Sequence, residues 1–441
     1  MIIQFSFNNY KTFKDRTVLN LIASNYDKDT NEEENIIHID KYNLRLLKSS
    51  VIFGANASGK SKFIDAITFF KSYIQSSSKE TQKGEPIAVI PFKLNEASPD
   101  RSSDFEMIFI LNGIIYRYGF EATRSKIIAE WLYVRSKSKE EELFYRTLQK
   151  FEVNEKKLDK ALPLIKSELV RDNALLISVL AQFNDALASS IILYFESINC
   201  VSGLREMEYK NNSILKVRDN PEKKGQILEL LKIADFGIED IRFEDIASIF
   251  PEKDKVKIQE LQKLMSDVDS HAFSSVRTTH KVFNDKNEIT GSIEFLMNAE
   301  ESEGTQKYFY LTGLILDALE NGTILFVDEL DSKLHPNLVC KIVSLFNSNI
   351  TNPKNAQLIF NTHDTNLLSS GLFRRDQIWF IDKDRYGASK LYSLADFKTS
   401  SVRKNESFED NYIRGKYGAT PFLGEFEEIT RKILAEDGKA K

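Results

Sequence analysis

Only two cysteines occur in the 441 residues, Cys200 and Cys340, far apart and without pairing spacing. A disulfide-stapled scaffold is excluded, and both thiols read as small buried hydrophobes. Five histidines share no metal-ligand spacing, so zinc is not indicated. No apolar run approaches the roughly 18 residues that span a bilayer. The longest, around Tyr308-Leu316, is broken by Thr312 and Gly313. The N-terminus, Met1-Ile2-Ile3-Gln4-Phe5, lacks the basic region and apolar core of a secretion signal, so a cytoplasmic, membrane-free protein is expected. There is no internal repeat, low-complexity tract or sustained heptad.

What is present is a globular composition, 42% hydrophobic and 28% charged. Its length suits two or three ordinary domains, or one large α/β domain with an insertion. The net charge of −5 gives a field that does not draw in nucleic acid. Local basic stretches, Lys156-Lys157 with Lys160 and Lys210 through Lys224, read as solvated faces, with a nucleic-acid contact as the alternative.

Along the chain, Ile2-Ile3-Gln4-Phe5-Ser6-Phe7 alternates like a strand, and Val51-Ile52-Phe53 runs straight into a glycine loop. Phe63, Ile64, Ala66, Ile67, Phe69 and Phe70 then recur at helical spacing. Phe105-Ile110, a turn at Asn112-Gly113, Ile114-Phe120 and Ala129-Val134 predict an antiparallel β layer. Residues 137–273 read as a mainly helical insertion, with breaks near Pro163, Gly203 and Pro221. A strand at Thr279-Phe283 and a helix over Gly304-Leu319 follow. Buried strands are expected at Ile324-Val327, Gln357-Phe360 and Gln377-Ile381, then a polar helical tail. The expected organisation is 1–136, 137–273 and 274–441, with an α/β, mainly parallel sheet covered on both faces.

Gly54-Ala55-Asn56-Ala57-Ser58-Gly59-Lys60-Ser61 matches G-x-x-x-x-G-K-[ST] without deviation. Such a loop turns successive N–H groups inward to grip a phosphate, and the following helix adds its positive end. Gly54, Asn56, Ser58, Gly59 and Lys62 are expected to line a bound ATP; Lys60 would bridge its β- and γ-phosphates and Ser61 would ligate Mg²⁺. Ile324-Leu325-Phe326-Val327 delivers Asp328 and Glu329 at a strand's C-terminal end, where ligands of open α/β sheets bind. Asp328 is expected to hold Mg²⁺, and Glu329 to act as general base on the attacking water. His363 follows another buried strand, as a structural residue or as a catalytic group near the γ-phosphate. Ser302, with Gly304 two residues on, opens a helix and reads equally as a plain N-cap or as an anion-binding end.

In its order of P-loop, Ser-x-Gly helix, Asp-Glu strand and lone histidine, the chain resembles the ABC-type ATPase head of the SMC, RecF and OLD clan. That resemblance implies a homodimer, or a higher oligomer, in which two heads sandwich two ATP molecules. Ser302 and Gly304 would then touch the γ-phosphate held by the partner's Lys60. Ser332-Lys333-Leu334-His335 falls at the D-loop and His363 at the switch histidine. Two features depart from the pattern: no Q-loop glutamine stands near Pro91-Phe92-Lys93-Leu94, and the signature reads Ser-Glu-Gly-Thr-Gln. The stretch after His363 is also too short for a toprim nuclease domain of the OLD kind.

A narrower similarity is to bacterial abortive-infection ATPases grouped with RloA and AbiL-type proteins. It rests on Phe7-Asn8-Asn9-Tyr10-Lys11-Thr12-Phe13, Pro91-Phe92-Lys93-Leu94 and Glu130-Trp131-Leu132. Asp328-Glu329-Leu330-Asp331 with Leu334-His335-Pro336, Trp379-Phe380 and Tyr412 to Pro421 add to it. The resemblance implies an anti-phage sensor that controls a separate effector, a nuclease or toxin, in response to DNA or a phage protein. The alternatives are a RecF-like DNA-repair ATPase, a module that uses ATP as a structural clamp, and, least favoured, a transporter ATPase.

Overall fold

Runs such as Ile324-Leu325-Phe326-Val327 and Leu358-Ile359-Phe360 leave a strand no face to give to water, so they must be covered on both sides. In the computed structural model they lie at the middle of a six-stranded sheet. The structure describes residues 1–25, 30–80, 82–202, 220–234, 236–245, 274–398 and 406–421, with isolated positions between them. In the sheet, β5 (Ser49–Phe53) lies between β16 (Gln357–Asn361) and β17 (Ile378–Lys383). Beyond β16 come β15 (Ile324–Val327) and β11 (Asn199–Val201), and beyond β17 comes β18 (Ser389–Ser393). All neighbours are parallel except the β17–β18 hairpin. Ile52, Ile324, Phe326 and Ile359 enter one core, and Val51, Phe53, Leu325, Val327, Leu358 and Phe360 the other. That is the two-residue period of a pleated strand.

The first core is closed by helix α1 (Lys60–Ser76) and a seven-stranded antiparallel sheet. There β1 (Ile2–Asn8) lies between β2 (Thr17–Asn20) and β6 (Ser103–Leu111). Then β7 (Ile114–Ala122), β8 (Ile127–Arg135), β9 (Glu141–Thr147) and β10 (Lys150–Val153) follow as successive hairpins. Asn112 and Gly113 at the β6–β7 turn have φ of 51° and 70°, the left-handed pair that a two-residue hairpin needs. Phe70 of α1 meets Phe5, Phe120 and Phe195 at ring-centroid distances of 5.6, 5.5 and 5.5 Å, joining helix and sheet. A small ribbon, β3 (Ile36–Ile39) with β4 (Leu44–Leu47), lies beside this layer.

The expected helical stretch over 137–273 is only partly helical. Residues 141–153 form β9 and β10, because pairing with β8 and burial of Leu143 and Phe144 override a Lys/Glu-rich composition. Next, α2 (Leu176–Gln182) and α3 (Ala186–Glu196), bent by 108° from each other, pack against α1, and β11 joins the parallel sheet. Beyond them, α4 (Pro221–Ile233) precedes a three-stranded antiparallel sheet of β12 (Ile238–Asp245), β13 (Ser274–Phe283) and β14 (Ile289–Leu296). Residues 246–273 and most of the expected C-terminal tail lie outside the described residues. Helices α5 (Glu303–Asn321) and α6 (Pro336–Asn347) cover the second core. Among the described residues no single helix is long and apolar enough to cross a membrane. Neither cysteine is in a disulfide, and both are half-buried rather than fully enclosed.

One buried ion pair ties the antiparallel sheet to α2. Glu130 and Arg146 have no exposed side-chain surface and approach to 3.6 Å. Glu130 also accepts from Leu176 N (2.7 Å), Ile177 N (3.1 Å) and the Tyr118 hydroxyl (3.0 Å). Arg146 donates to the carbonyls of Leu148, Ala174 and Arg171. Burial raises the Glu130 carboxyl, and the Arg146 charge and the donors around it offset that only in part. Removing one partner strands the other charge in the core, at a cost of about 3–5 kcal/mol. Arg146→Met is therefore expected to lower the urea midpoint sharply, and Arg146→Met with Glu130→Leu to recover part of it; equal midpoints for Arg146→Met and wild type would contradict the assignment.

Candidate functional site

The glycine loop leaves β5 at the sheet's C-terminal edge, and close backbone approach demands its glycines. A Cβ on Gly54 would sit 2.4 Å from the Ile381 carbonyl oxygen. Gly59 has a φ of 119°, and a Cβ there would meet Ser389 Oγ at 2.7 Å and Thr12 Oγ1 at 2.9 Å. Ser389 donates its hydroxyl to Ser58 O (2.5 Å) and its amide to Thr12 O (2.8 Å). The loop is thus held by Ser389 of the β17–β18 hairpin, with Thr12 of the turn after β1 bonded to Ser389 and packed beside Gly59. Neither Ser389 nor Thr12 carries any sequence signal of this role.

Lys60 opens α1 and donates to Gly54 O (2.7 Å) and Ala55 O (3.1 Å). Burial lowers its amine to about 8, against the pull of Glu329, Asp328 and Asp331. Ser58 is buried and its hydroxyl has no hydrogen-bond partner, whereas Asn56 is exposed at the loop tip. Lys62 is half-buried and pairs with Asp65 at 3.3 Å; Asp65 also holds Lys11 at 2.7 Å.

Strand order brings the second element in. β16 stands between β15 and β5, so its last residue, Asn361, lies between the two loops. The Asn361 amide donates to Asp328 Oδ1 (2.5 Å), and its side-chain oxygen accepts from Glu329 N (2.7 Å). Its carbonyl accepts from Leu330 N (3.1 Å). Burial raises the Asp328 carboxyl, and the lowering influence of Asn361 and of nearby Ser61 offsets it only in part. Glu329 itself is exposed, with a left-handed φ of 51°. Such a conformation costs roughly 1–2 kcal/mol in a residue with a side chain and is held by its surroundings.

His363 is exposed two residues beyond Asn361, and its N–H donates to Asp331 Oδ2 (3.1 Å). Asp331 Oδ1 is buried without a hydrogen-bond partner. Ser302 caps α5: its hydroxyl accepts from Thr305 N (3.1 Å), as the plain N-cap reading requires. Gly304 in the same turn lies against the loop after Glu329, where a Cβ would be 2.6 Å from the Lys333 carbonyl oxygen. Lys60, Ser61, Asp328 and Glu329 thus converge on one edge of the sheet. Ser302 and Gly304 adjoin the Glu329–Lys333 loop of their own chain.

The other motifs prove architectural. Asn9 is buried and donates to the Ser98 carbonyl (2.9 Å), while its side-chain oxygen accepts from Phe92 N (3.1 Å). Gly119 makes room for the Trp131 ring, which a Cβ would approach to 2.6 Å. Tyr412 and Tyr417 pack on Phe380 beneath the loop, and the Tyr392 hydroxyl bonds the Tyr417 carbonyl.

The amide of Asn361 serves a carboxylate and an N–H at once, so substitution has a signed effect. Asn361→Leu leaves both groups unsatisfied, at roughly 1–3 kcal/mol each. Asn361→Asp sets a second carboxylate beside Asp328, and the repulsion is relieved as pH falls and one of the two takes a proton. Urea midpoints should therefore show Asn361→Asp closer to wild type at pH 5 than at pH 8; a gap independent of pH would argue against this arrangement.

Residues 49–369 match the family described as "AAA domain, putative AbiEii toxin, Type IV TA system". No curated protein matches the chain. Since the match covers well over half of the sequence and runs from the strand before the glycine loop to the turn beyond His363, the chain belongs to this family of AAA-domain P-loop ATPases.

Proposed function

We propose that the chain binds ATP with Mg²⁺ at the glycine loop, hydrolyses it, and works as the sensor subunit of a bacterial anti-phage system. The observation that carries this reading is the convergence of Lys60 and Ser61 with Asp328 and Glu329 at the C-terminal ends of parallel strands. The Ser61 hydroxyl and Asp328 carboxylate are hard oxygen donors close to each other, a set that fits Mg²⁺. That ion, when bound, supplies charge neutralisation to phosphate oxygens. Loop N–H groups and the start of α1 would cradle the β-phosphate, and Lys60 would reach the β- and γ-phosphates. Glu329, exposed beside this edge, is suited to take a proton from water.

The family's description supports an association with toxin or abortive-infection systems. On this reading two heads close over ATP, with Ser302 and Gly304 of each contacting the nucleotide of the other, and hydrolysis times their opening. A separate nuclease or toxin is the controlled effector, and a phage protein or DNA is the trigger.

Two outcomes test the site. Glu329→Gln is expected to lower kcat by about 100-fold or more while keeping ATP affinity within a few-fold, and to accumulate ATP-bound dimers in size-exclusion chromatography. Unchanged turnover would remove Glu329 from the mechanism. The second concerns the proton on Lys60. Its amine is neutral above about 8, and a triphosphate favours its charged form. ATP binding should therefore take up a proton between pH 8 and 9, and affinity should fall as pH rises, by up to about tenfold per unit. Calorimetry in buffers of different ionisation enthalpy reads this directly, and no uptake in that range would contradict it.

A further inference from the structure

Lys307, one turn into α5, has no part in the site as read from the sequence. Its amine nonetheless donates to Glu329 O (2.6 Å) and Ser332 O (2.8 Å), the two ends of the loop that follows Asp328. The side chain is half-buried; the charges of Asp331, Glu329 and Asp328 favour its charged form, but burial outweighs them and lowers its amine to about 8. The first turn of the same helix supports the loop elsewhere. Gly304 leaves space for the Lys333 carbonyl, and Glu303 pairs with the Lys333 amine at 3.2 Å. Two loop residues, Glu329 and Lys333, are left-handed, with φ of 51° and 64°. A backbone in that region persists only where neighbours hold it. From the parallel sheet the loop has the Asn361 contacts to the Glu329 and Leu330 amides. Lys307 holds the two carbonyls.

We propose that Lys307 is a positioning residue that sets the Glu329 loop from the helix led by Ser302, so that whatever engages Ser302 and Gly304 alters the alignment of Glu329 in the same chain. The consequence for hydrolysis rests on the function proposed above. In a closed dimer, one chain's Ser302 would meet the opposite nucleotide and, through Lys307, adjust the catalytic loop of its own site. The two sites would then be coupled by one side chain at each.

The test compares Lys307→Met and Lys307→Arg with wild type in the full chain. Lys307→Met is expected to lower kcat by about 10–100-fold, the penalty of a slightly misplaced catalytic group, with ATP Kd within twofold. Lys307→Arg, whose fork can still reach two carbonyls, should recover most of that loss. Turnover of Lys307→Met within twofold of wild type, or a loss expressed wholly as weaker ATP binding, would overturn the proposal. Hydrogen exchange of the amides from Leu330 to Leu334 supplies a readout independent of activity. Exchange should quicken in Lys307→Met and return towards wild type in Lys307→Arg, and identical exchange in all three would also overturn it. A wild-type chain without ATPase activity would instead count against the proposed function, and the exchange comparison would still decide the role of Lys307.

Discussion

A neutral amide at the end of β16 organises this site. Asn361 is fully buried, donates to the Asp328 carboxylate and accepts from the Glu329 amide, so one side chain sets both acidic residues. The arrangement depends on strand order: β16 separates the strand of the glycine loop from the strand of the carboxylates, and its C-terminal residue falls in the gap. An amide suits that gap because it offers a donor and an acceptor without charge. A carboxylate there would repel Asp328, and an apolar residue would leave two partly buried polar groups without their partner.

Around that centre the site is held by contacts from distant parts of the chain. Ser389, backed by Thr12, holds the glycine loop at Gly59, and Lys307 reaches the Glu329 loop from α5. Lys60 is buried and Lys307 half-buried near the same acidic residues, and burial lowers both amines to about 8. Opposite charges of this kind, partly withdrawn from water, interact more strongly than on the surface, which makes the protonation of each lysine sensitive to a bound anion. The aromatic layer beneath, centred on Phe70, keeps the antiparallel sheet and α1 as one unit, and the buried Glu130–Arg146 pair ties that sheet to α2.

Much of the fold was legible because its signals are local. The β6–β7 hairpin follows from Asn112-Gly113, the helix α1 from the apolar spacing after Lys60, and the buried strands from uninterrupted hydrophobic runs. The reading of 137–273 as mainly helical failed at 141–153, where composition favoured helix but a neighbouring strand offered pairing and a core to fill. The motifs that carried the abortive-infection resemblance are, in the folded chain, largely architectural: Asn9, Glu130, Trp131 and Tyr412 pack or bond within the scaffold that holds the loop.

By itself the sequence determined the phosphate-binding loop, the acidic strand end and the capped helix, since each is a contiguous stretch whose chemistry depends on neighbours in the chain. Tertiary structure alone decided that Asn361, Lys307, Ser389 and Thr12 belong to the same site. Their roles come from the order of strands in the sheet and from backbone atoms brought within hydrogen-bonding distance across hundreds of residues, and a lone Asn, Lys, Ser or Thr carries no pattern that could announce it.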